Sequence, residues 1–466
     1  MHEEVNQKNP EINKPLLLIV TMVANFFNPF TGAAVNIALP KIALDLQLDA
    51  VGMSWVSMSY LLVSAVFLVP MGKIADRWGR RATFLYGNLL FLVASFACAF
   101  AETEGFLLAT RMLQGLGGAM MVSTSMAIIM SAFPPKERGK VIGLTVASVY
   151  LGLSAAPVLG GILTEYLGWR SLFIINGSVS IFVAFAIWFA IKTEWKEEVK
   201  GKFDWKGVFL YVPSLTMLMY GFSKLPEPYA IALTAAGLTG IIIFIRFETK
   251  VELPLLNILL FQKNRIFALS NFSAFINYAA TFAVSFVLSL YLQYAKNMSP
   301  REAGTILVAQ PVLMAMVSVF SGRMSDKING RILAASGMAI SVIGLIMMSF
   351  LTLDSSNAYI LSALGVLGFG FGLFSSPNTN VVMSSVENQF YGVASATLAT
   401  MRNLGMMFSM AIASLAVHAF VGNKILGDST ISEFMTASKV IFLLFSFLCI
   451  VGVYTSYSNV KRITLS

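Results

Sequence analysis

Hydrophobic positions along this chain gather into long runs, each closed by a short polar or charged turn. The runs fall at about 16–40, 52–71, 82–101, 105–131, 141–164, 170–191, 207–223, 229–246, 266–294, 302–321, 332–352, 358–382, 393–420 and 437–457. Most are close to the ~20 residues that an α-helix needs to cross the hydrocarbon core of a bilayer. The pattern predicts an all-α membrane protein with fourteen transmembrane helices. The seventh and eighth runs are short, and only Lys224-Leu-Pro-Glu-Pro228 separates them.

The charged turns give the runs an order. Gly72-Lys-Ile-Ala-Asp76-Arg77-Trp-Gly79-Arg80-Arg81 joins helices 2 and 3, and 250 residues later Gly322-Arg-Met-Ser-Asp326-Lys-Ile-Asn-Gly-Arg331 joins helices 10 and 11. Both copies read Gly-(x)3-Asp, with an arginine five residues after the aspartate. The chain therefore reads as a duplication that relates helices 1–6 to helices 9–14 and leaves helices 7 and 8 without a counterpart. The expected layout is a cytosolic tail (1–15), a six-helix bundle (16–191), a linker with two additional helices (192–265), a second six-helix bundle (266–457) and a second cytosolic tail (458–466). The polar stretch Lys192–Lys206 reads as a solvated linker. Parallel repeats of this kind, with substrate handled between them near the midplane, describe one large transporter architecture.

Loop charge orients the layout. With the N-terminus inside, the inside segments hold 23 lysines and arginines and the outside loops hold 7, while Arg111 and Arg402 lie within helices. Both termini are expected in the cytosol of a bacterial cell. The chain is 57% hydrophobic and 12% charged, about half the charge of an ordinary soluble domain. The net charge of +9 is explained by the inside loops and does not call for nucleic acid. Cys98 and Cys449 both sit in apolar runs and imply no disulfide framework. No cleavable signal is expected, because the first 15 residues are polar and mixed in charge. There is no phosphate-binding loop, no Cys/His metal spacing and no nucleophile–His–acid set. An enzyme, a metal site or a cofactor is therefore not expected.

Three stretches carry candidate mechanism. In the first hinge, Gly72 lets backbones approach, Asp76 can accept from helix amides and guanidinium groups, and Arg77, Arg80 and Arg81 sit at headgroup level around Gly79. Its physical role would be a breakable ionic latch, echoed by Gly322, Asp326 and Arg331. In helix 4, Arg111 lies about seven residues inside a spanning helix, followed by Gln114 and Gly115. An arginine there faces a cavity or a partner; the available partners are Glu165 and Glu102. In helix 5, Gly143, Gly152, Ala156, Gly160 and Gly161 let a neighbour pack closely and Pro157 bends the helix.

These residues resemble the major facilitator superfamily. Gly72-x-x-x-Asp76-Arg77-x-Gly79-Arg80-Arg81 is similar to its helix 2–3 signature, and Arg111-x-x-Gln114-Gly115 to the signature whose arginine is tied to proton coupling. The helix 5 pattern is similar to the one that marks its antiporter branches, with Ala156 where glycine is usual. Ala34-Val-Asn36-Ile-Ala-Leu-Pro40, Gly168-Trp-Arg170, Arg402-Asn-Leu-Gly405 and the extra helix pair resemble the fourteen-helix drug:proton antiporter branch. The resemblance implies alternating access, a latch that stabilises the outward-facing state, and a helix 5 that limits leak.

One departure bears on the substrate. Many members of that branch carry an aspartate five residues before the helix 1 asparagine, where this chain has Thr31. All 23 acidic residues lie in loops, in tails or near predicted helix ends. The cavity is thus expected to be neutral to positive and to favour neutral, zwitterionic or anionic amphiphiles over permanent cations. Candidate cavity residues are Asn25, Asn28, Asn36, Tyr60, Asn277, Tyr278, Gln310 and Arg402. Candidate coupling groups are Asp76, Glu165, Asp326 and His418, beside Arg111, Gln114 and Gly115. The expected function is secondary active export of small amphiphiles, drugs among them, by proton antiport from a monomer in the cytoplasmic membrane. The alternatives are a specific metabolite or lipid exporter, or a membrane sensor or scaffold.

Overall fold

The protein, described by a computed structural model over residues 13–196, 203–325, 327–387, 391–422 and 424–457, is built of helices joined by short turns. The helices are α1 Lys14–Leu46, α2 Ala50–Trp78, α3 Arg80–Ala99, α4 Glu104–Ala132, α5 Pro135–Tyr166, α6 Arg170–Ala190, α7 Trp205–Ser223 and α8 Pro228–Glu248. They continue as α9 Arg265–Ala295, α10 Pro300–Met324, α11 Gly330–Ser349, α12 Asn357–Ser384, α13 Tyr391–Val421 and α14 Ile431–Tyr457. Turn chemistry fixes many starts. Asp49 accepts from Gly52 N at 2.6 Å to open α2, and Ser299 with Glu302 forms a capping box at α10.

Thirteen of the fourteen are long and apolar enough to cross a membrane, and α7 falls short of the sequence expectation. Its 19 residues include Lys206, Pro213, Ser214, Thr216 and Ser223, which dilute its apolar character. It pairs along its length with α8 and leans on α2 and α13. Two helices predicted as continuous are interrupted. In α9 the α-helix stops at Thr281, resumes over Val284–Leu290 and ends in a π-turn at Tyr291–Ala295. The freed Ala283 N–H donates to Ser409 Oγ of α13 at 3.0 Å. α10 breaks at Val308, three residues before Pro311, whose missing N–H leaves the Leu307 carbonyl without its helical donor.

The duplication is visible in the packing. In the first bundle α1 packs on α5, α2 on α4, and α3 on both α4 and α6; in the second α9 packs on α13, α10 on α12, and α11 on both α12 and α14. Close backbone approaches repeat as well. A Cβ on Gly115 would lie 2.4 Å from the Tyr60 carbonyl oxygen, and one on Gly368 would lie 2.5 Å from that of Gln310. Tyr60 and Gln310 are 250 positions apart, the same interval as the two hinges. Gly152 on Phe26 and Gly405 on Phe275 repeat the arrangement between α5 and α1 and between α13 and α9, with would-be contacts of 2.2 and 2.5 Å. Glycine at these crossings lets helices meet backbone to backbone, the usual device for packing helices in lipid.

Alternation gives the molecule two ends. The near end carries Lys14, the 72–81 hinge, the α6–α7 linker and Tyr457; the far end carries the α1–α2, α5–α6, α9–α10 and α13–α14 turns.

Candidate functional site

The bundles meet along a seam that runs from the middle of the molecule to the far end. Ser54 Oγ donates to Ser414 Oγ at 2.8 Å, Ala50 N to the Lys424 carbonyl at 3.2 Å, and Arg301 N to Glu165 Oε2 at 3.1 Å. Ser289 Oγ donates to the Asn36 carbonyl at 2.8 Å and Gln293 Nε2 to the Ile37 carbonyl at 2.9 Å. α5 presses directly on α10. A Cβ on Gly161 would lie 2.5 Å from the Pro300 carbonyl oxygen, and one on Gly304 would lie 2.1 Å from that of Pro157. The glycines and proline that the sequence singled out in helix 5 therefore work on two sides. Gly152 and Gly160 hold α5 against α1, while Gly161 and Pro157 close the far end against α10. Gly143 has open space around it.

Midway down the seam an aromatic cluster bridges the bundles. Tyr278 meets Phe371 edge to face at a centroid distance of 5.2 Å, and Met314, Tyr150, Leu153 and Met406 pack around them. Tyr150 OH of the first bundle lies 2.9 Å from Ser375 Oγ of the second. The Arg402 guanidinium sits 5.7 Å from the Tyr278 ring centroid and donates to Thr379 Oγ1 at 2.6 Å, while its Nε–H has no partner. Asn277, the residue before Tyr278, is fully buried with both amide atoms unpartnered among the described residues, and the Asn378 Nδ2 is likewise unpartnered. This is a mid-depth site with aromatic faces, one guanidinium and spare amide hydrogen-bonding capacity.

The first bundle contributes a second polar group. Arg111 is wholly buried. It donates through Nε to the Val56 carbonyl at 3.1 Å and through Nη1 to Gln114 Oε1, and Gln114 passes a hydrogen bond on to Ser95 Oγ at 2.8 Å. Its charge lies 4.6 Å from the Tyr60 ring and 5.8 Å from Phe173, and Nη2 has no partner. No carboxylate among the described residues supports it. Neither of the two acids considered as partners joins it, and Glu165 is exposed at the far-end seam. A cation inside a spanning helix costs about 2.5–3.5 kcal/mol on insertion scales. Here neutral dipoles and two aromatic faces share that burden. Tyr60 OH donates to Asn28 Oδ1 at 2.9 Å and Asn25 Nδ2 to Ser125 Oγ at 2.7 Å. Thr31 donates to Asn176 Oδ1 at 2.7 Å, so a buried neutral pair occupies the place of the expected family aspartate.

Asn36 was expected in the cavity; the structure places it in the far-end seam, accepting from Ser57 Oγ at 2.7 Å and facing Ser285. Gln310 contributes a backbone crossing to Gly368, and its half-buried side chain makes no hydrogen bond among the described residues. His418 is half-buried with Nδ1 unpartnered.

The near-end hinge is drawn into its own bundle. Asp76 pairs with Arg80 at 2.8 Å, and Arg80 also donates to Ser131 Oγ at 2.8 Å. Arg81 caps the end of α6 through the Ile191 and Ile187 carbonyls, a cation placed at the negative end of a helix. Gly79 adopts φ +124°, which a side chain would strain. Glu194 fills the space against Gly79 and accepts from Arg81 N at 2.8 Å and Ala82 N at 3.0 Å, so it caps α3. Arg77 lies 5.7 Å from the Phe203 ring. In the second copy, Gly322 packs on Ser376 and Arg331 N donates to Asn329 Oδ1, while Asp326 lies outside the described residues. Reading the sequence missed Glu194, Tyr150, Phe371, Ser375 and Thr379. The polar run Ser375-Ser-Pro-Asn-Thr-Asn380 within an apolar helix was the available signal for the last two.

Comparisons with known proteins agree with this arrangement. A family model of the major facilitator superfamily matches residues 21–410 and 270–461. The riboflavin transporter RibZ of Clostridioides difficile (strain 630) is 31% identical over 94% of this chain and 96% of its own length. The multidrug transporter protein MdtP of Bacillus subtilis (strain 168) is 29% identical over 90% of this chain and 78% of its own. The multidrug resistance protein Stp of Mycobacterium tuberculosis is 29% identical over 87% and 76%. Among solved structures, a bacterial homologue of the human lysosomal transporter Spinster in an inward-facing, occupied conformation superposes with a TM-score of 0.69 at 16% identity, covering 97% of both chains. Its unoccupied inward-facing form gives 0.68. This chain is a multi-pass membrane transporter that belongs to the major facilitator superfamily.

Proposed function

We propose that the protein is a secondary active exporter of small amphiphilic molecules in the bacterial cytoplasmic membrane, working by alternating access with protons as the coupling ion. The observation that carries this reading is the far-end seam built by the helix 5 glycines and Pro157 against α10, the stretch whose pattern is similar to the antiporter signature. With the near end in the cytosol, as loop charge predicts, the seam seals the outside and the described state faces inward. Among the described residues Asp76 then pairs within its own bundle, as expected of a latch that holds the opposite state.

The substrate class follows from charge. Arg111 and Arg402 are held by neutral groups, and an uncompensated cation beside them in a low-dielectric cavity is costly. Neutral, zwitterionic or anionic compounds are favoured over quaternary cations. A second reading, a specific metabolite exporter, is favoured by the RibZ relative and by the Tyr278–Phe371 aromatic pair, which suits a flat conjugated ring. Proteoliposomes with an imposed pH gradient test both readings, with riboflavin, an anionic dye and ethidium as probes. Gradient-driven movement of the first two supports the proposal. Movement that ignores the gradient rejects proton coupling, and robust ethidium transport rejects the charge argument.

A further inference from the structure

The extra helix pair closes at its near end on two carboxyl groups. Asp204 caps α7, with Oδ1 accepting from Gly207 N at 2.8 Å, and its Oδ2 is buried without a donor among the described residues. Glu248 ends α8 and is only 2% exposed. Its Oε2 accepts from Leu256 N at 3.1 Å, and its Oε1 is buried without a donor. The two orphan oxygens face one another across Gly207. A Cβ there would lie 2.2 Å from Asp204 Oδ2 and 2.6 Å from Glu248 Oε1. Both oxygens thus lie within 2.6 Å of a single point.

Two ionised carboxylates have no hydrogen to share and repel at this distance. The surrounding charges among the described residues do not relieve them. Lys206 on α7, Arg246 on α8, and Lys250 and Glu252 in the following loop are exposed and pair with neither group. From α2, Arg77 stacks on Phe203, the residue before Asp204. α13 meets α7 at its other end, through Phe408 and Phe222. Lys200 and Lys202 lie outside the described residues.

We propose that Asp204 and Glu248 form a binding site for one proton, held between Asp204 Oδ2 and Glu248 Oε1. The bound proton converts a repelling pair into a carboxyl–carboxylate hydrogen bond. It fastens the start of α7 to the end of α8, and through Glu248 Oε2 it fastens the chain entering the second bundle. Phe203 carries the same anchor to Arg77 of the hinge. Loss of the proton as pH rises loosens all three. The site is independent of the direction and substrate of transport.

The test uses the purified full-length protein in detergent. Infrared spectra of the wild type recorded between pH 6 and pH 9 are expected to show a protonated-carboxyl band that disappears as pH rises, and E248Q is expected to lack it. Thermal midpoints are expected to fall over that range in the wild type and to stay level in E248Q, whose amide donates permanently to Asp204. D204N is expected to level the profile from the other side. Parallel pH profiles in wild type and E248Q, or an unchanged carboxyl band in E248Q, overturn the proposal. So does stabilisation by sodium at fixed pH and ionic strength that is absent in E248Q, which assigns the site to a cation instead.

Discussion

Placing a methyl group at Gly304 tests whether the far-end seam is a gate or a permanent weld. In the described state the new Cβ would lie 2.1 Å from the Pro157 carbonyl oxygen. Real Cβ contacts essentially never fall below 3.0 Å, so α5 and α10 must separate by about 0.9 Å (3.0 − 2.1). Overpacking of this kind costs about 1–3 kcal/mol. The penalty applies only while the seam is shut, because the contact lies between bundles. The far-end-open population is therefore expected to rise roughly 5- to 150-fold relative to the closed one. Spin labels at Leu167 and Leu353, both exposed in far-end turns of opposite bundles, report this by electron–electron resonance as growth of a longer distance. Gly152→Ala is the matched control. Its would-be contact of 2.2 Å is with Phe26 inside one bundle, so it is expected to lower the yield and melting temperature without lengthening the far-end distance. An unchanged distance distribution with normal transport in Gly304→Ala would refute the gate.

Four further outcomes follow from the geometry. Asp76→Asn is expected to insert normally yet slow transport at least tenfold, about 1.4 kcal/mol of activation energy, in the proteoliposome assay; full activity there removes the latch. Arg111→Lys is expected to fail similarly, since one ammonium cannot reproduce the forked donation to Val56 and Gln114. Wild-type rates in that variant would show that only the charge matters. Arg402→Ala is expected to weaken transport of anionic probes more than neutral ones, read as a change in their kcat/KM ratio; equal losses would mean a packing role. Glu194→Ala is expected to lower stability by about 1 kcal/mol through loss of the α3 cap, read as a fall in melting temperature with inserted protein still present.

Much of the architecture was legible because lipid makes sequence periodic in a simple way: each span must be apolar and long, and each turn must be polar. Tyr60 and Gln310 stand at the same 250-residue interval as Gly72 and Gly322, and both prove to lie under a glycine of the neighbouring helix. α7 was the exception, because Pro213 and its hydroxyl residues leave a helix that depends on α8 rather than on lipid. The break in α9 was hidden for a different reason. Its partner, Ser409 for the Ala283 amide, stands more than a hundred residues away.

The same distance in sequence governed the site. A polar residue at mid-helix announces that it needs a partner but not which one, so Asn36, Tyr60 and Asn277 looked alike. The fold separates them. Asn36 is consumed by the far-end seam, Tyr60 shields Arg111, and only Asn277 keeps both amide atoms unspent. Acids at helix ends gave no sign of their burial for a parallel reason: a terminus is wet unless another segment covers it. Glu194 and Glu248 are two that folding recruits from the linker region, one as a cap on the hinge helix and one as half of a buried pair. Both hold segments of the linker region against a helix end, Glu194 at α3 and Glu248 at α8 with its partner at the start of α7. The linker that looked like passive solvent-exposed chain is thereby tied at each end to an element that shifts in the proposed rocking of the bundles. In the proposed pairing, Asp204 and Glu248 stand where conformation and proton binding meet.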